Sequence, residues 1–503
     1  MYLRGKDNNM FSTESLRKDR WLLITCLTFS VMYLIPFALG GAYSVDDWLR
    51  SDTGNSGWEG NGRPAASIIM AVMSLLPNGL SFFGDNVLQD TYPFSMFLGG
   101  MVMVMAGYML KNVLEIKSQW LAGVIILLPL TNPYWIGNIE FRHDSLIMSI
   151  AFFLAVISAV ICRRDIFKGY AVSFTSSVIC LTIMLMIYQA ALNVYMSVTV
   201  LLAGMLCINK EKFSVILSHV IFAILAMVVA YAIYSVVINN FVNLSEYTKS
   251  HSGILPLSSD SFANLLSNSK GFISLLSDLN NGLYGLCVLI LCLSSIVFSV
   301  LRWKILGAAR SLMLIACVPV TLFLSAGVLV LLEFPVIAGR VMMGFSIFMC
   351  FVAATCFKEK IGAAVGVIIV LLNFSFGSVA ANAINDQQRY DRFVAQQIVS
   401  NLYQSGFVNG NTVHVNGPSS TPEQAIRAMQ YAPLLRSYVF SAFANSNFKY
   451  SLLRQYGVRS SRPTQGETNI FNAKIKGKSP ILKNNLMEIY QQDNEYSVFI
   501  FRN

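Results

Sequence analysis

Repeated apolar runs constrain the fold of this chain more than any other feature of its sequence. Each run is about 17 to 26 residues long and nearly free of charge, which is enough to cross a bilayer as a helix. Only 12% of the residues are charged, about half the share found in soluble proteins. The pattern predicts a mainly α, polytopic transmembrane protein with about eleven spans, at residues 21–41, 92–110, 120–136, 145–162, 170–187, 190–208, 213–238, 284–301, 311–332, 340–357 and 361–380.

The basic residues of the loops indicate which side of the membrane each loop faces. Residues 1–20 and every second loop carry seventeen Lys and Arg residues. The intervening loops before residue 381 carry six: Arg50, Arg63, Arg142, Lys249, Lys270 and Arg340. Because basic loops stay in the cytoplasm, we expect a cytoplasmic N-terminal tail over residues 1–20 and an external C-terminus. The same rule accounts for most of the net charge of +10, so we expect no nucleic-acid partner.

Residues 64–82 form a further apolar segment that does not fit this alternation. Counting the segment as a span would place the basic loop 111–118 outside, against the charge rule. We therefore predict a re-entrant or interfacial helix, broken near Pro77-Asn78-Gly79. Irregular backbone at that depth has to line a cavity or pack against protein.

The composition changes near residue 381, after which the chain is polar and contains no spanning run. Residues 387–403 and 422–444 have helical character, and residues 412–415 and 496–501 resemble strands. We predict three parts: a tail over residues 1–20, a transmembrane domain over 21–380 and a small external α/β domain over 381–503. The C-terminal domain has no cluster of acids and bases, so we expect it to bind an acceptor and not to carry chemistry.

One group of reactive side chains lies in the external loop 42–63, directly after the first span. Its members are Asp46, Asp47, Trp48, Arg50, Trp58 and Arg63. A carboxylate can act as general base toward a sugar hydroxyl, arginines can hold a phosphate, and indoles can stack on sugar rings. Asp46 and Asp47 are the candidate catalytic residues, and only one of them is expected to face a substrate. The alternative is a solvated helix exit with no further role.

A second group lies between the third and fourth predicted spans and consists of Glu140, Arg142, His143 and Asp144. In a functional interpretation Arg142 grips a phosphate while Asp144 or Glu140 orders the site. The alternative is helix capping by Asp144 or Ser145, with an internal pair between Glu140 and Arg142. Arg340 stands alone at an external helix start, where it reaches either lipid headgroups or a phosphate.

Several motifs of other protein classes do not occur in the sequence. There is no phosphate-binding GxxxxGK[ST] loop, no GxGxxG followed by an acidic residue, no HExxH, no GxSxG and no Asp-x-Asp. All nine cysteines lie in apolar runs, which indicates neither a disulfide framework nor a metal site. We therefore expect no metal and no cofactor, and no site for a nucleotide sugar on the cytoplasmic side.

The Asp46-Asp47-x-x-Arg50 motif, the Gly62-Arg63-Pro64 step and the stretch Phe141 to Leu146 resemble the phage-type serotype-converting O-antigen glucosyltransferases. These are polytopic GT-C enzymes of the Gram-negative inner membrane. The resemblance covers the whole chain through the order of its parts. It implies transfer of glucose from undecaprenyl phosphate-glucose to a sugar of the lipid-linked O-antigen in the periplasm.

Two other functions stay open at this point. A flippase or transporter of lipid-linked oligosaccharides would carry charges near the middle of its helices and internal repeats, whereas the ionisable residues here gather at the external face. An O-antigen polymerase or ligase would also use external arginines. Such an enzyme would place its main loop in the middle of the chain, where loop 239–283 is poor in arginine.

Overall fold

The computed structural model describes residues 13–75, 88–162, 169–256 and 259–501, and within them the fold is mostly helical. The α-helices are α1 (Thr13–Lys18), α2 (Arg20–Gly40), α3 (Asp47–Thr53), α4 (Pro64–Met73), α5 (Phe94–Val113), α6 (Gln119–Thr131), α7 (Ile136–Ile139), α8 (Ser145–Ile161), α9 (Tyr170–Leu185), α10 (Leu192–Ile208), α11 (Phe213–Phe241), α12 (Glu246–Ser252), α13 (Ser259–Leu279), α14 (Gly282–Leu301), α15 (Trp303–Leu306), α16 (Ala308–Phe323), α17 (Phe345–Ala354), α18 (Glu359–Gln404), α19 (Glu423–Tyr431), α20 (Ser446–Gln455) and α21 (Gln465–Lys474). Short 3-10 helices cover Pro133–Trp135, Gln189–Ala191, Gly327–Leu331, Gly339–Val341, Pro433–Ser437 and Ala442–Ala444.

Every apolar run that the sequence predicts to span the membrane contains a helix. In the described ranges, seven helical segments are long and apolar enough to cross a membrane: Arg20–Gly40, Phe94–Val113, Gln119–Ile139, Gln189–Ile208, Phe213–Phe241, Gly282–Leu301 and Glu359–Gln404. The other four predicted spans coincide with the shorter apolar helices α8, α9, α16 and α17. The chain is therefore a helical membrane protein, and the number of eleven crossings stays a prediction.

Helix α5 lies at the centre of the bundle, between α2, α6 and α8. Two of its glycines allow this close packing. A Cβ atom at Gly107 would lie 2.2 Å from the carbonyl oxygen of Ile126 on α6, and one at Gly99 would lie 2.9 Å from Ser149 Oγ on α8. Small residues let the backbones of membrane helices approach in this way, so α5 holds α6 and α8, the two helices that flank the loop with Glu140 to Asp144.

The segment predicted as re-entrant begins with α4, a helix of ten residues. A helix of that length is about 15 Å long, half of what is needed to span the hydrocarbon core. The predicted break near Pro77-Asn78-Gly79 lies outside the described residues, so the re-entrant assignment stays a prediction.

The last membrane helix continues well beyond the expected end at residue 380. Helix α18 runs without a break from Glu359 to Gln404, and at 46 residues it is roughly 70 Å long. A bilayer core is about 30 Å thick, so the second half of α18 projects from the membrane. The separate helix expected over residues 387–403 is thus part of α18, and the boundary at residue 381 stays a prediction.

The C-terminal region contains a four-stranded sheet. Its strands are β1 (Thr412–Asn416), β2 (Leu482–Lys483), β3 (Met487–Gln492) and β4 (Glu495–Ile500), in the order β1-β4-β3-β2. Strand β1 pairs parallel to β4, and β3 pairs antiparallel to β4. Both strands expected from the sequence are confirmed as β1 and β4. The sheet packs on the projecting half of α18 around Val394, Ile398 and Val498.

Candidate active site

Helix α3 follows α2 after a short turn and carries the first group of candidate residues. Asp47 is its first residue and Asp46 its N-terminal cap residue, so both carboxylates lie at a helix start. The turn before them is strained, because Val45 adopts a φ of 35°, which β-branched residues rarely do. Such strain persists only where the surroundings hold the backbone, and it is common at functional sites.

The carboxylate of Asp47 is completely buried and bonded to backbone groups. Asp47 Oδ2 accepts from the N–H of Ser44 at 3.0 Å and from the N–H of Arg142 at 2.8 Å. Asp47 Oδ1 accepts from the N–H of His143 at 3.3 Å. Burial nevertheless raises the pKa of Asp47 to about 7, against the opposing effect of Arg50. Asp47 thus joins the start of α3 to the loop before α8.

Arg50 connects the two groups of predicted residues. Its guanidinium is buried. It donates to the carboxylate of Asp144 through Nη1 and to the carbonyl oxygen of Ser56 through Nε, the latter at 2.9 Å. The second oxygen of Asp144 accepts from the indole N–H of Trp58 at 2.8 Å. Arg50 also lies over the Trp58 ring, 5.0 Å from its centroid. Asp144 therefore pairs with Arg50 and Trp58, and its expected role as a side-chain helix cap is wrong.

Asp46 is the exposed member of the aspartate pair. Its side chain is 51% exposed, and its Oδ2 lies 3.5 Å from Nη2 of Arg50. Asp47, by comparison, has no exposed surface. The two carboxylates therefore differ as the sequence suggested, because one is held by backbone N–H groups and the other is open to a ligand.

The guanidinium of Arg142 lies between two tyrosine rings. It is 4.4 Å from the ring centroid of Tyr43 and 4.3 Å from that of Tyr92. Its Nε donates to Asp90 at 2.7 Å and its Nη1 to the carbonyl oxygen of Gly41 at 2.9 Å. The pair between Arg142 and Glu140 that the alternative interpretation expected is therefore wrong, because Asp90 is the partner.

Arg63 and Arg340 bring further positive charge to the same region. Arg63 donates to Gln189 at 3.2 Å and lies over the ring of Tyr188, at 4.7 Å. Burial lowers the pKa of the Arg63 guanidinium, and the nearby positive charges of Arg340 and Arg50 add to that effect. Arg340 lies 4.9 Å from the ring centroid of Phe141. Its expected contact, with a phosphate or with lipid headgroups, stays a prediction.

Glu140 and His143 are buried behind these arginines. Burial raises the pKa of Glu140 well above the usual carboxyl value, although Arg340 opposes the shift. Burial lowers the pKa of His143 to about 4, so its imidazole is neutral at physiological pH. The Nε2 atom of His143 lies 3.1 Å from Ser51 Oγ on α3.

The two tryptophans of the loop lie behind the site and not on an open face. Trp58 is fully buried and holds Asp144, as described above. Trp48 stacks on Tyr43 with ring centroids 4.7 Å apart and belongs to the hydrophobic core of the C-terminal region. In this structure both indoles are packing residues, so the sugar contact expected for them stays a prediction.

The C-terminal region holds α3 through polar contacts as well. Asp52 accepts from Arg454 and from Ser451, each at 3.2 Å, and pairs with Arg462. Gln388 on α18 bonds both backbone groups of Tyr43. Loop 42–63 is therefore fixed between the bundle and the C-terminal region.

The structure thus brings Asp46, Asp47, Arg50, Trp58, Arg63, Glu140, Arg142, Asp144 and Arg340 together at one end of the helical bundle, with Trp48 on the side of the C-terminal region. Sequence reasoning missed Tyr92, Asp90, Tyr188 and Gln189. Of these, Tyr188 and Gln189 have a sequence signal, since they are polar residues at the edge of an apolar run. Gln189 contacts Arg63 and also donates to the carbonyl oxygens of Asn61 and Gly62.

Comparison with known proteins identifies the family. The sequence model described as Glucosyl transferase GtrII matches residues 22–351, which include both groups of candidate residues. The chain belongs to this glucosyltransferase family. It is therefore a glycosyltransferase, and the flippase alternative is set aside.

One relative comes from Salmonella phage P22 and is described as an uncharacterized 55.3 kDa protein in the gtrB 5' region. It is 26% identical over 402 residues, which cover 77% of this chain and 80% of the relative. No solved structure matches the chain.

Proposed function

We propose that the protein transfers glucose from undecaprenyl phosphate-glucose to a sugar of a lipid-linked O-antigen, with inversion at the anomeric carbon. The reaction takes place at the periplasmic face of a bacterial inner membrane, with the N-terminus in the cytoplasm and the C-terminus in the periplasm. The glucosyltransferase family and the phage relative support this reaction. The distribution of basic loops supports the orientation.

Asp46 is our candidate for the general base, and its exposed carboxylate beside Arg50 carries the proposal. The acceptor hydroxyl gives its proton to Asp46 while its oxygen attacks C1 of glucose. The bond between C1 and the phosphate oxygen breaks, and undecaprenyl phosphate leaves with the bonding electrons. Asp47 is less suited to this step because its oxygens are occupied by the N–H groups of Ser44, Arg142 and His143.

The arginines supply the stabilisation of the leaving phosphate. Negative charge on the phosphate grows in the transition state, and fixed positive groups in a desolvated site lower the barrier. Arg63 and Arg340 are the best placed, since neither is paired with a carboxylate among the described residues. Arg50 and Arg142 complete the positive site, while Asp144, Glu140, Trp58 and Trp48 hold these groups in place.

The proposal is tested with purified protein in lipid nanodiscs, supplied with undecaprenyl phosphate-glucose and lipid-linked O-antigen. We expect one added hexose per repeat unit by mass spectrometry, with the anomeric configuration opposite to that of the donor by NMR. Absence of transfer by folded protein would refute the donor or the acceptor class, and a retained configuration would refute the inverting mechanism.

Two matched variants test the choice of base. Asp46→Asn is expected to reduce the rate by about 10²–10⁴-fold, the usual contribution of a general base, while donor binding persists. Asp47→Asn is expected to stay partly active, because an amide oxygen still accepts backbone hydrogen bonds. If both variants transfer glucose at the normal rate, loop 42–63 is not the active site, and Glu140 to Asp144 becomes the leading candidate.

A further inference from the structure

A groove of about 500 Å³ lies at the external end of the bundle, between α18, α19 and the junction of α13 with α14. Its volume is within the range of small-molecule sites, roughly 300–1,000 Å³. None of the residues that line it belongs to the site around Asp46. The groove is therefore a second place where a ligand can bind.

One wall of the groove is apolar and belongs to a membrane helix. Leu372, Phe376 and Val379 lie four and three residues apart on α18, so they share one helix face. Val379 is 41% exposed, although it lies in the predicted span. This wall suits a hydrocarbon chain that enters from the bilayer.

The facing wall is polar and belongs to α19. Gln424, Arg427 and Tyr431 lie three and four residues apart and point into the groove. Arg427 is exposed and forms no hydrogen bond or ion pair with any residue in the part of the chain that the structure describes. Tyr431 is 83% exposed, so its ring is free to stack on a sugar.

The third side is formed where α13 ends and α14 begins. Asp278, Asn281 and Tyr284 line it. A carboxylate and an amide are suited to sugar hydroxyls, and the tyrosine adds a second aromatic face. A simple phospholipid would use the apolar wall and Arg427 but leave these groups without partners.

We infer that this groove binds the lipid-linked acceptor, with the isoprenoid chain along α18, a phosphate on Arg427 and sugars against Tyr431 and Tyr284. The inference rests on the proposed function and adds the place where the acceptor is held.

Both substrates of that reaction carry a lipid phosphate, so the enzyme needs two phosphate sites. The arginines near Asp46 serve the leaving phosphate of the donor. The acceptor's phosphate is separated from the reacting hydroxyl by at least one sugar, so a separate site such as Arg427 suits it.

The structure also connects the groove to the reaction site. Helix α19 leads through Pro433–Ser437 to Tyr438, whose hydroxyl donates to the carbonyl oxygen of Pro133 at 3.1 Å. Tyr438 packs against Gly339, the neighbour of Arg340. The α19 wall of the groove is thus joined by one short segment to Tyr438, which packs beside Arg340.

The test compares Arg427→Gln with Arg436→Gln, a control at an exposed arginine of the same region that does not line the groove. With undecaprenyl diphosphate carrying one O-antigen repeat unit as acceptor, Arg427→Gln is expected to raise the acceptor KM about tenfold. The donor KM should change less than about twofold, and Tyr431→Ala should act in the same direction. Arg436→Gln should leave both constants unchanged.

Equal behaviour of Arg427→Gln and Arg436→Gln would refute the inference. A rise in the donor KM in place of the acceptor KM would refute it too, because the groove would then hold the donor.

A binding measurement in the Asp46→Asn background separates this inference from the proposed function. If wild-type protein transfers no glucose yet binding of the same lipid-linked probe depends on Arg427, the reaction is wrong and the groove stands. If phosphatidylglycerol competes as well as the probe, the groove is a phospholipid site and the inference is wrong.

Discussion

Replacing Arg50 by lysine tests whether the geometry of its guanidinium matters beyond its charge. Each nitrogen of the planar guanidinium contacts a different group: Asp144, the carbonyl oxygen of Ser56 at 2.9 Å and Asp46 at 3.5 Å. A lysine ammonium keeps the charge but lacks the planar fork, so at this buried position it retains one of the three contacts. We therefore expect Arg50→Lys to lose most of its activity while it still folds.

The size of the loss follows from the contacts that disappear. A hydrogen bond that involves a charged group contributes about 1.5–3 kcal/mol, and two contacts are lost, of which the one to Asp46 is long. We expect the activation free energy to rise by about 3 kcal/mol, which corresponds to about a hundredfold decrease in kcat/KM. The assay is glucose transfer in nanodiscs, and Arg436→Lys provides the same chemical change at an exposed position.

A double-mutant cycle with Asp144→Asn sharpens this test. Arg50 and Asp144 share a buried ion pair, so the double variant should lose much less than the sum of the single losses. If Arg50→Lys keeps more than about a third of the wild-type kcat/KM, Arg50 acts as a charge only and our reasoning about its planar guanidinium is refuted. Losses that simply add in the double variant would refute that reasoning as well.

Three further predictions concern the same loop and its supports. Burial raises the pKa of Asp47 from 3.8 to about 7. Between these pH values the folded protein keeps a proton that the unfolded chain has released, so wild-type stability falls as pH rises. The difference in melting temperature between Asp47→Asn and wild type should therefore be larger at pH 8 than at pH 5, and a constant difference would contradict the shift. Asp52→Ala removes the acceptor shared by Arg454 and Arg462. It should lower the free energy of unfolding by about 2 kcal/mol and decrease kcat more than it changes KM. An unchanged kcat would show that these ion pairs do not position α3. Periplasm-active reporters fused after residues 50, 140 and 400 should be active and those after 115, 165 and 305 silent, and activity at 115 would overturn the re-entrant assignment.

The helices and the two main strands could be predicted because their signals are local. A long run of apolar residues indicates a membrane helix, and a short run with valines, such as Thr412-Val413-His414-Val415, is typical of a strand. The end of α18 could not be predicted in this way. The change in composition at residue 381 does not end the helix, which continues to Gln404 because no proline interrupts it.

The candidate site was predictable as a set of residues but not as a set of partners. The two groups of ionisable residues stand out because only 12% of the chain is charged, and charge next to the hydrocarbon core carries a desolvation cost. Which carboxylate meets which arginine depends on tertiary contacts such as Arg50 with Asp144, 94 positions apart, and Arg142 with Asp90. The local alternative paired Glu140 with Arg142 and gave Asp144 or Ser145 a capping role, whereas in the fold Arg142 pairs with Asp90 and Asp144 pairs with Arg50.

The position of Trp48 changes how the C-terminal region should be understood. A separable acceptor-binding domain would leave loop 42–63 complete without it. Instead Trp48 fills the core of that region together with Val394 and Tyr450, and Asp52 is held by arginines from the same region. These contacts fix both ends of α3, which carries Asp47 and Arg50. The C-terminal region is therefore part of the structural support of the candidate active site, so truncation before residue 400 is expected to disorder α3 as well as to remove the groove.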